Sequence, residues 1–130
     1  MNEIIAEFLD GATVMVQEVV EDVLNDSDDT DLEVIKLWLE NVVQHGCSSG
    51  VVGSMVYYED TVKFFETYAN DINDILAYDL STTGLNIDEL LHNWNTADPL
   101  AREVHNQNLL AWYAYESVCR DLLIFIENNR

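Results

Sequence analysis

The chain runs to 130 residues with 25 Asp and Glu against 5 Lys and Arg, a formal charge of -20, yet 48% of it is hydrophobic. Acidic chains poor in apolar residues stay disordered, whereas this one has the Val, Ile, Leu and aromatic content to bury a core in one domain, so its charge is displayed on a folded surface against self-repulsion. The same balance excludes direct binding to nucleic acid, because five basic residues cannot neutralise a run of phosphates.

Helical periodicity dominates the chain. Residues 3 to 25 place Ile5, Phe8, Ala12, Met15, Val16, Val19 and Val23 at three- and four-residue steps, which predicts one amphipathic helix weakened at Gly11 by about 1 kcal/mol relative to alanine. The acidic run Asn25-Asp26-Ser27-Asp28-Asp29 breaks that pattern. Thr30 with Glu33 has the spacing of a capping box and opens a second helix through Leu32, Ile35, Leu37, Trp38, Leu39, Val42 and Val43, with Gly46 placed as its C-terminal cap. A third helical region opens after Ser48-Ser49 and reaches residue 80, with a division expected near Glu59-Asp60-Thr61, and Ser81-Thr82-Thr83-Gly84 reads as a turn. Asn86 with Glu89 starts a short helix ending near Trp94. Asp98-Pro99 caps a last helix to about Asn128, with an interruption expected at Asn106-Gln107-Asn108. The prediction is an all-α, single-domain irregular bundle of five or six helices spanning residues 1 to 130.

Charge placement is more informative than charge amount. Residues 1 to 33 hold eleven acids and no Lys or Arg. On a continuous helix Glu3, Glu7, Asp10, Glu18, Glu21 and Asp22 share an arc of about 120°, opposite the apolar residues and about 5 to 6 Å apart, a spacing comparable with neighbouring phosphates. Asp26, Asp28, Asp29 and Asp31 extend the stripe. A second patch, Glu59, Asp60, Glu66, Asp71, Asp74 and Asp79, is interrupted by Lys63. The plain alternative is a solvated helix face, although such faces ordinarily mix both signs. Adaptation to high salt would spread acids everywhere rather than concentrate them in the first quarter.

A compact chain of this length is about 36 Å across, and duplex DNA of that length carries about 21 phosphate charges. The net charge therefore matches the DNA segment that the protein could replace in a cleft.

Candidates for chemistry are weak. His45-Gly46-Cys47, with His92, His105 and Cys119, offers imidazole and thiolate, but the spacing fits no zinc pattern, and His45 reads better as a helix C-terminal dipole contact. Cys47 with His45 resembles no nucleophile motif. Gly46, Gly50 and Gly53 lack the strand and lysine of a phosphate loop. No cofactor, metal or catalytic residue is expected. The two cysteines make no disulfide framework, no apolar run approaches the roughly eighteen residues of a membrane span, and Met1-Asn2-Glu3 does not open a signal peptide, which together point to the cytoplasm of a host cell.

The segments His45-Gly46-Cys47-x-Ser49-Gly50, Tyr57-Tyr58-x-Asp60-Thr61 and Leu110-Ala111-Trp112-Tyr113-x-x-Glu116 resemble a family of small uncharacterised acidic proteins encoded by phages and mobile elements. The resemblance covers the middle and C-terminal thirds and implies no catalytic residue. In size and charge the chain is also similar to the DNA-mimicking anti-restriction and anti-CRISPR proteins. Such a setting implies an opponent, a host defence nuclease with a basic nucleic-acid channel. The expected function is inhibition of that nuclease by DNA mimicry, through Glu3, Glu7, Asp10, Glu18, Glu21, Asp22, Asp26, Asp28, Asp29 and Asp31. An immunity protein against a nuclease toxin and an oligomeric interaction module are the alternatives, and a homodimer is left open.

Overall fold

In the computed structural model the described residues are 2–27, 31–45, 58–83 and 99–129, with side chains placed over 2–25, 31–44, 63–78 and 110–129. They form five helices: α1 (Glu3–Leu9), α2 (Val14–Ser27), α3 (Leu32–His45), α4 (Tyr58–Thr83) and α5 (Pro99–Asn128). Among the described residues there is no strand, and the fold is all-α. The elements expected at Gly46, near Ser48-Ser49 and between Asn86 and Trp94 lie outside the described residues.

The first helix expected from the sequence is two helices. Asn2 caps α1, its Oδ1 accepting the Ile4 N–H at 2.8 Å. The helix closes at Asp10, whose N–H donates to the carbonyls of Ala6 and Glu7, and Gly11 follows at φ 78°. That left-handed backbone is one that glycine adopts freely and other residues do not, so Gly11 ends a helix rather than merely weakening one. Thr13 starts α2, its carbonyl accepting the Gln17 N–H at 3.0 Å. The apolar phasing survives the break, with Ile5 and Met15, Val19 and Val23 all fully buried.

Three further boundaries differ from the expectation. Asp31 caps α3, its carboxylate accepting the Glu33 N–H at 3.0 Å, while the expected cap Thr30 lies outside the described residues. α4 opens at Tyr58, beside the division expected at Glu59-Asp60-Thr61, has non-helical backbone at Tyr68 (φ -117°, ψ 25°), and continues through Ser81, Thr82 and Thr83 instead of turning there. The last helix passes Asn106-Gln107-Asn108 without interruption. Ser, Thr and Asn lower helix propensity by only tenths of a kcal/mol each, which tertiary packing overrides.

α5 is the spine of the bundle and touches all four other helices, α4 most extensively. Six consecutive residues, Ala114 to Cys119, are buried, so over more than one full turn this helix has no solvent face. Leu110, Ala111, Leu122, Leu123 and Ile126 continue its core contribution against Ile35, Leu39 and Val42 of α3 and Ile72 and Leu76 of α4. The Phe8 and Phe125 rings meet edge to face, centroids 5.5 Å apart, which fastens α1 to the last turns of α5. Inside this spine Glu116 is buried and accepts a 2.9 Å hydrogen bond from the Arg120 guanidinium one turn later.

Candidate partner-binding surface

The acids of the first quarter are outside the core. Glu3 and Glu7 lie exposed one turn apart on α1, and exposed Asp10 closes that helix. Glu18, Glu21 and Asp22 are exposed on α2, where their three- and four-residue spacing puts them on one face. The break at Gly11 divides the expected stripe into these two sets, and the single-helix arc of 120° no longer relates one set to the other. Asp26 lies on the last turn of α2 by its backbone, while Asp28 and Asp29 lie outside the described residues. Asp31 is exposed, but its carboxylate is engaged as the α3 cap.

The second acidic patch meets the first at Tyr68. The Tyr68 hydroxyl, on α4, donates a hydrogen bond to the Glu18 carboxylate on α2. This bond, then burial, then the negative charges of Glu18 and Asp71, push the Tyr68 phenol up to about 12. Glu18 from one patch and Asp71 from the other thus act on a single hydroxyl, while Glu66 and Asp74 stand exposed before and after it on α4.

Around that contact the surface is indented. Glu18, Lys63, Phe64, Thr67 and Tyr68 line an open groove of 310 Å³. The Phe64 and Tyr68 rings, one turn apart, lie 5.0 Å apart at 60° and form its aromatic wall. Thr67 turns its hydroxyl back to the Lys63 carbonyl at 2.8 Å. The non-helical backbone at Tyr68 sits in the middle of this wall. Charge placement along the chain does not single out Tyr68, which packs partly buried against the core. The aromatic pair Phe64–Tyr68 at helical spacing was the visible signal; the partner Glu18, fifty residues earlier, was not.

Two basic side chains are occupied elsewhere. Lys36 pairs with Glu40 at 3.8 Å on α3, and the half-exposed Arg120 pairs with buried Glu116 on α5. Cys119 is fully buried, and burial together with the charge of Glu116 pushes its thiol well up, the reverse of what a nucleophile or metal ligand needs. Among the described residues no three His, Cys, Asp or Glu side chains gather as a metal set, and the side chains of His45, Cys47, His92 and His105 lie outside them. Among the described residues, too, no helix is long and apolar enough to cross a membrane.

Fold and surface together define an all-α bundle whose first two helices present carboxylates outward. A family model described as Domain of unknown function (DUF7222) matches residues 5–128, and the chain belongs to that family. The matched stretch takes in α2 and most of α1, with their acids except Glu3, as well as the α5 spine. No curated protein and no solved structure matches the chain.

Proposed function

We propose that this protein is a phage-type anti-defence inhibitor that acts as a DNA mimic, occupying the basic nucleic-acid channel of a host nuclease such as a CRISPR effector or restriction enzyme. The observation that carries this reading is the exposure of Glu3, Glu7, Asp10, Glu18, Glu21 and Asp22 on two consecutive helices, with no basic residue before Lys36. Carboxylates then stand in for phosphates, and the field of the -20 chain steers it toward a cationic cleft at a rate that falls as salt rises. The mechanism is exclusion of DNA, without chemistry on any substrate.

The test is a DNA-binding competition against purified candidate nucleases at low and high salt. Inhibition is expected at low salt and is expected to vanish when Glu3, Glu7, Asp10 and Glu21 are changed together to Lys, with circular dichroism and urea stability showing the fold retained. Inhibition that survives this reversal refutes mimicry.

One observation favours a second reading, an oligomeric interaction module: Leu37 on α3 is 61% exposed, with Val34 exposed one turn before it. A large homo-oligomer in light scattering, indifferent to salt, would decide for that reading.

A further inference from the structure

An acidic face attracts a basic partner without saying which side chain docks where. The groove at the bend of α4 is more specific, because it adds shape and apolar walls to placed charge. Its carboxylate, Glu18, reaches in from α2, and its aromatic wall, Phe64 and Tyr68, comes from α4. The Tyr68 hydroxyl holds Glu18, and Asp71 adds a second negative charge beside Tyr68. A carboxylate has about four acceptor positions, so one bond from Tyr68 leaves capacity for further donors. Fixing Glu18 in advance also removes part of the side-chain entropy that a partner would otherwise have to quench.

A fixed carboxylate next to an aromatic face is the complement of a planar cation with parallel N–H donors. A guanidinium can direct two N–H groups at the carboxylate while its plane lies over a ring; an ammonium, a strongly hydrated point charge, does neither as well. We propose that this groove is a socket for an arginine side chain of the basic partner, with the guanidinium on Glu18 and its stem and plane against Phe64 and Tyr68. The inference rests on the proposed function in taking the partner to be a basic protein. A groove of 310 Å³ is at the small end for ligand sites, about 300 to 1,000 Å³, and suits one side chain rather than a larger molecule. Lys63 lines the same groove and is the chain's own competitor for Glu18.

The full-length protein, isotopically labelled, is titrated with acetyl-arginine amide, acetyl-lysine amide and acetyl-citrulline amide, and amide shifts are followed by NMR. Saturable shifts confined to Glu18 and residues 63 to 71 are expected, with arginine binding several-fold tighter than lysine and citrulline not binding. Glu18→Gln is expected to weaken arginine binding by about tenfold, and Lys63→Ala to tighten it. Shifts spread over the whole acidic surface and equal for arginine and lysine would mean general charge attraction and overturn the socket, as would no shift at all. Loss of the socket with nuclease inhibition intact leaves the mimicry reading standing. Arginine binding in the groove, alongside inhibition that survives reversal of Glu3, Glu7, Asp10 and Glu21, overturns mimicry and leaves the socket.

Discussion

The Tyr68 hydroxyl donates to the Glu18 carboxylate, and through that bond the acidic face of α2 is tied to the bend of α4. The bond has a pH signature. Unfolding returns the phenol to its ordinary value near 10, whereas the folded protein holds it up at about 12. A folded-state pKa raised above the unfolded one contributes stability that is complete below pH 10 and is lost as pH rises toward 12. Tyr68→Phe is therefore expected to flatten the fall in urea stability across that window. Difference absorbance of tyrosinate between the wild type and Tyr68→Phe should show one phenol titrating late, and Glu18→Gln should move it down toward the others. A Tyr68 that titrates with the exposed tyrosines would show that the bond is not formed.

Gly11 has nothing within 4 Å of where a Cβ would stand, so a substitution there tests backbone strain without steric overlap. Gly11→Ala places an L-residue at φ 78° and is expected to destabilise the protein by about 1 to 2 kcal/mol in urea unfolding. Gly11→Asn, which tolerates the left-handed region better, is expected to lose less. An alanine variant as stable as the parent would mean that α1 and α2 can run together as one helix.

The contrast at Gly11 shows what a sequence can and cannot disclose here. The apolar stripe of residues 3 to 25 was legible because burial selects Ile5, Met15, Val19 and Val23 whichever way the backbone turns between them. The turn itself was not, because a glycine inside a helical pattern costs little enough to be tolerated, and only its φ distinguishes tolerance from termination. Ser81 to Thr83 and Asn106 to Asn108 misled in the opposite sense, as weak local preferences overridden by the length and packing of α4 and α5. The exposed acids of the candidate surface were readable from helical spacing. Their junction with the second patch, and the groove beside it, depend on how α2 lies against α4, a long-range relation that no local pattern encodes. The pair Glu116 and Arg120 had the right i, i+4 spacing to be seen, but the burial of Glu116 follows from α5 being enclosed from Ala114 to Cys119.

Asp31 separates structure from recognition. Its side-chain cap on the Glu33 N–H gives it a stake in stability as well as a charge. Asp31→Ala is expected to cost about 1 kcal/mol, whereas Asp31→Asn keeps a capping oxygen and is expected to stay within a few tenths of the parent. Since Asn also removes the charge, comparing the two variants in nuclease inhibition isolates the electrostatic part. Equal losses of stability in both would remove the cap from the explanation of α3.

Cys119 is expected to be inert in the native state. Burial, and after it the charge of Glu116, hold the thiol protonated far above neutral pH, and reaction with iodoacetamide requires the thiolate. In a Cys47→Ser background, mass spectrometry should show no alkylation of the folded protein at neutral pH and stoichiometric alkylation in denaturant. Rapid labelling under native conditions would contradict the enclosure of α5.

Net charge sets the response to salt, and its sign discriminates between attraction and repulsion. The two ion pairs described, Lys36–Glu40 and Arg120–Glu116, weaken as ions screen them. Against them stand like-charge neighbours on one helix face, Glu3 with Glu7 and Glu18 with Asp22, each costing a few tenths of a kcal/mol, within a chain of net charge -20. Repulsion outweighs attraction, so the melting temperature is expected to rise as the screening length falls from about 30 Å at 0.01 M salt to about 3 Å at 1 M. Neutralising Glu3, Glu7 and Glu21 to Gln should raise the low-salt melting temperature and shrink the gain on adding salt. A melting temperature that falls with sodium chloride would mean that the acids are held by favourable partners in the folded protein, and a surface so compensated would have little field left with which to imitate a polynucleotide.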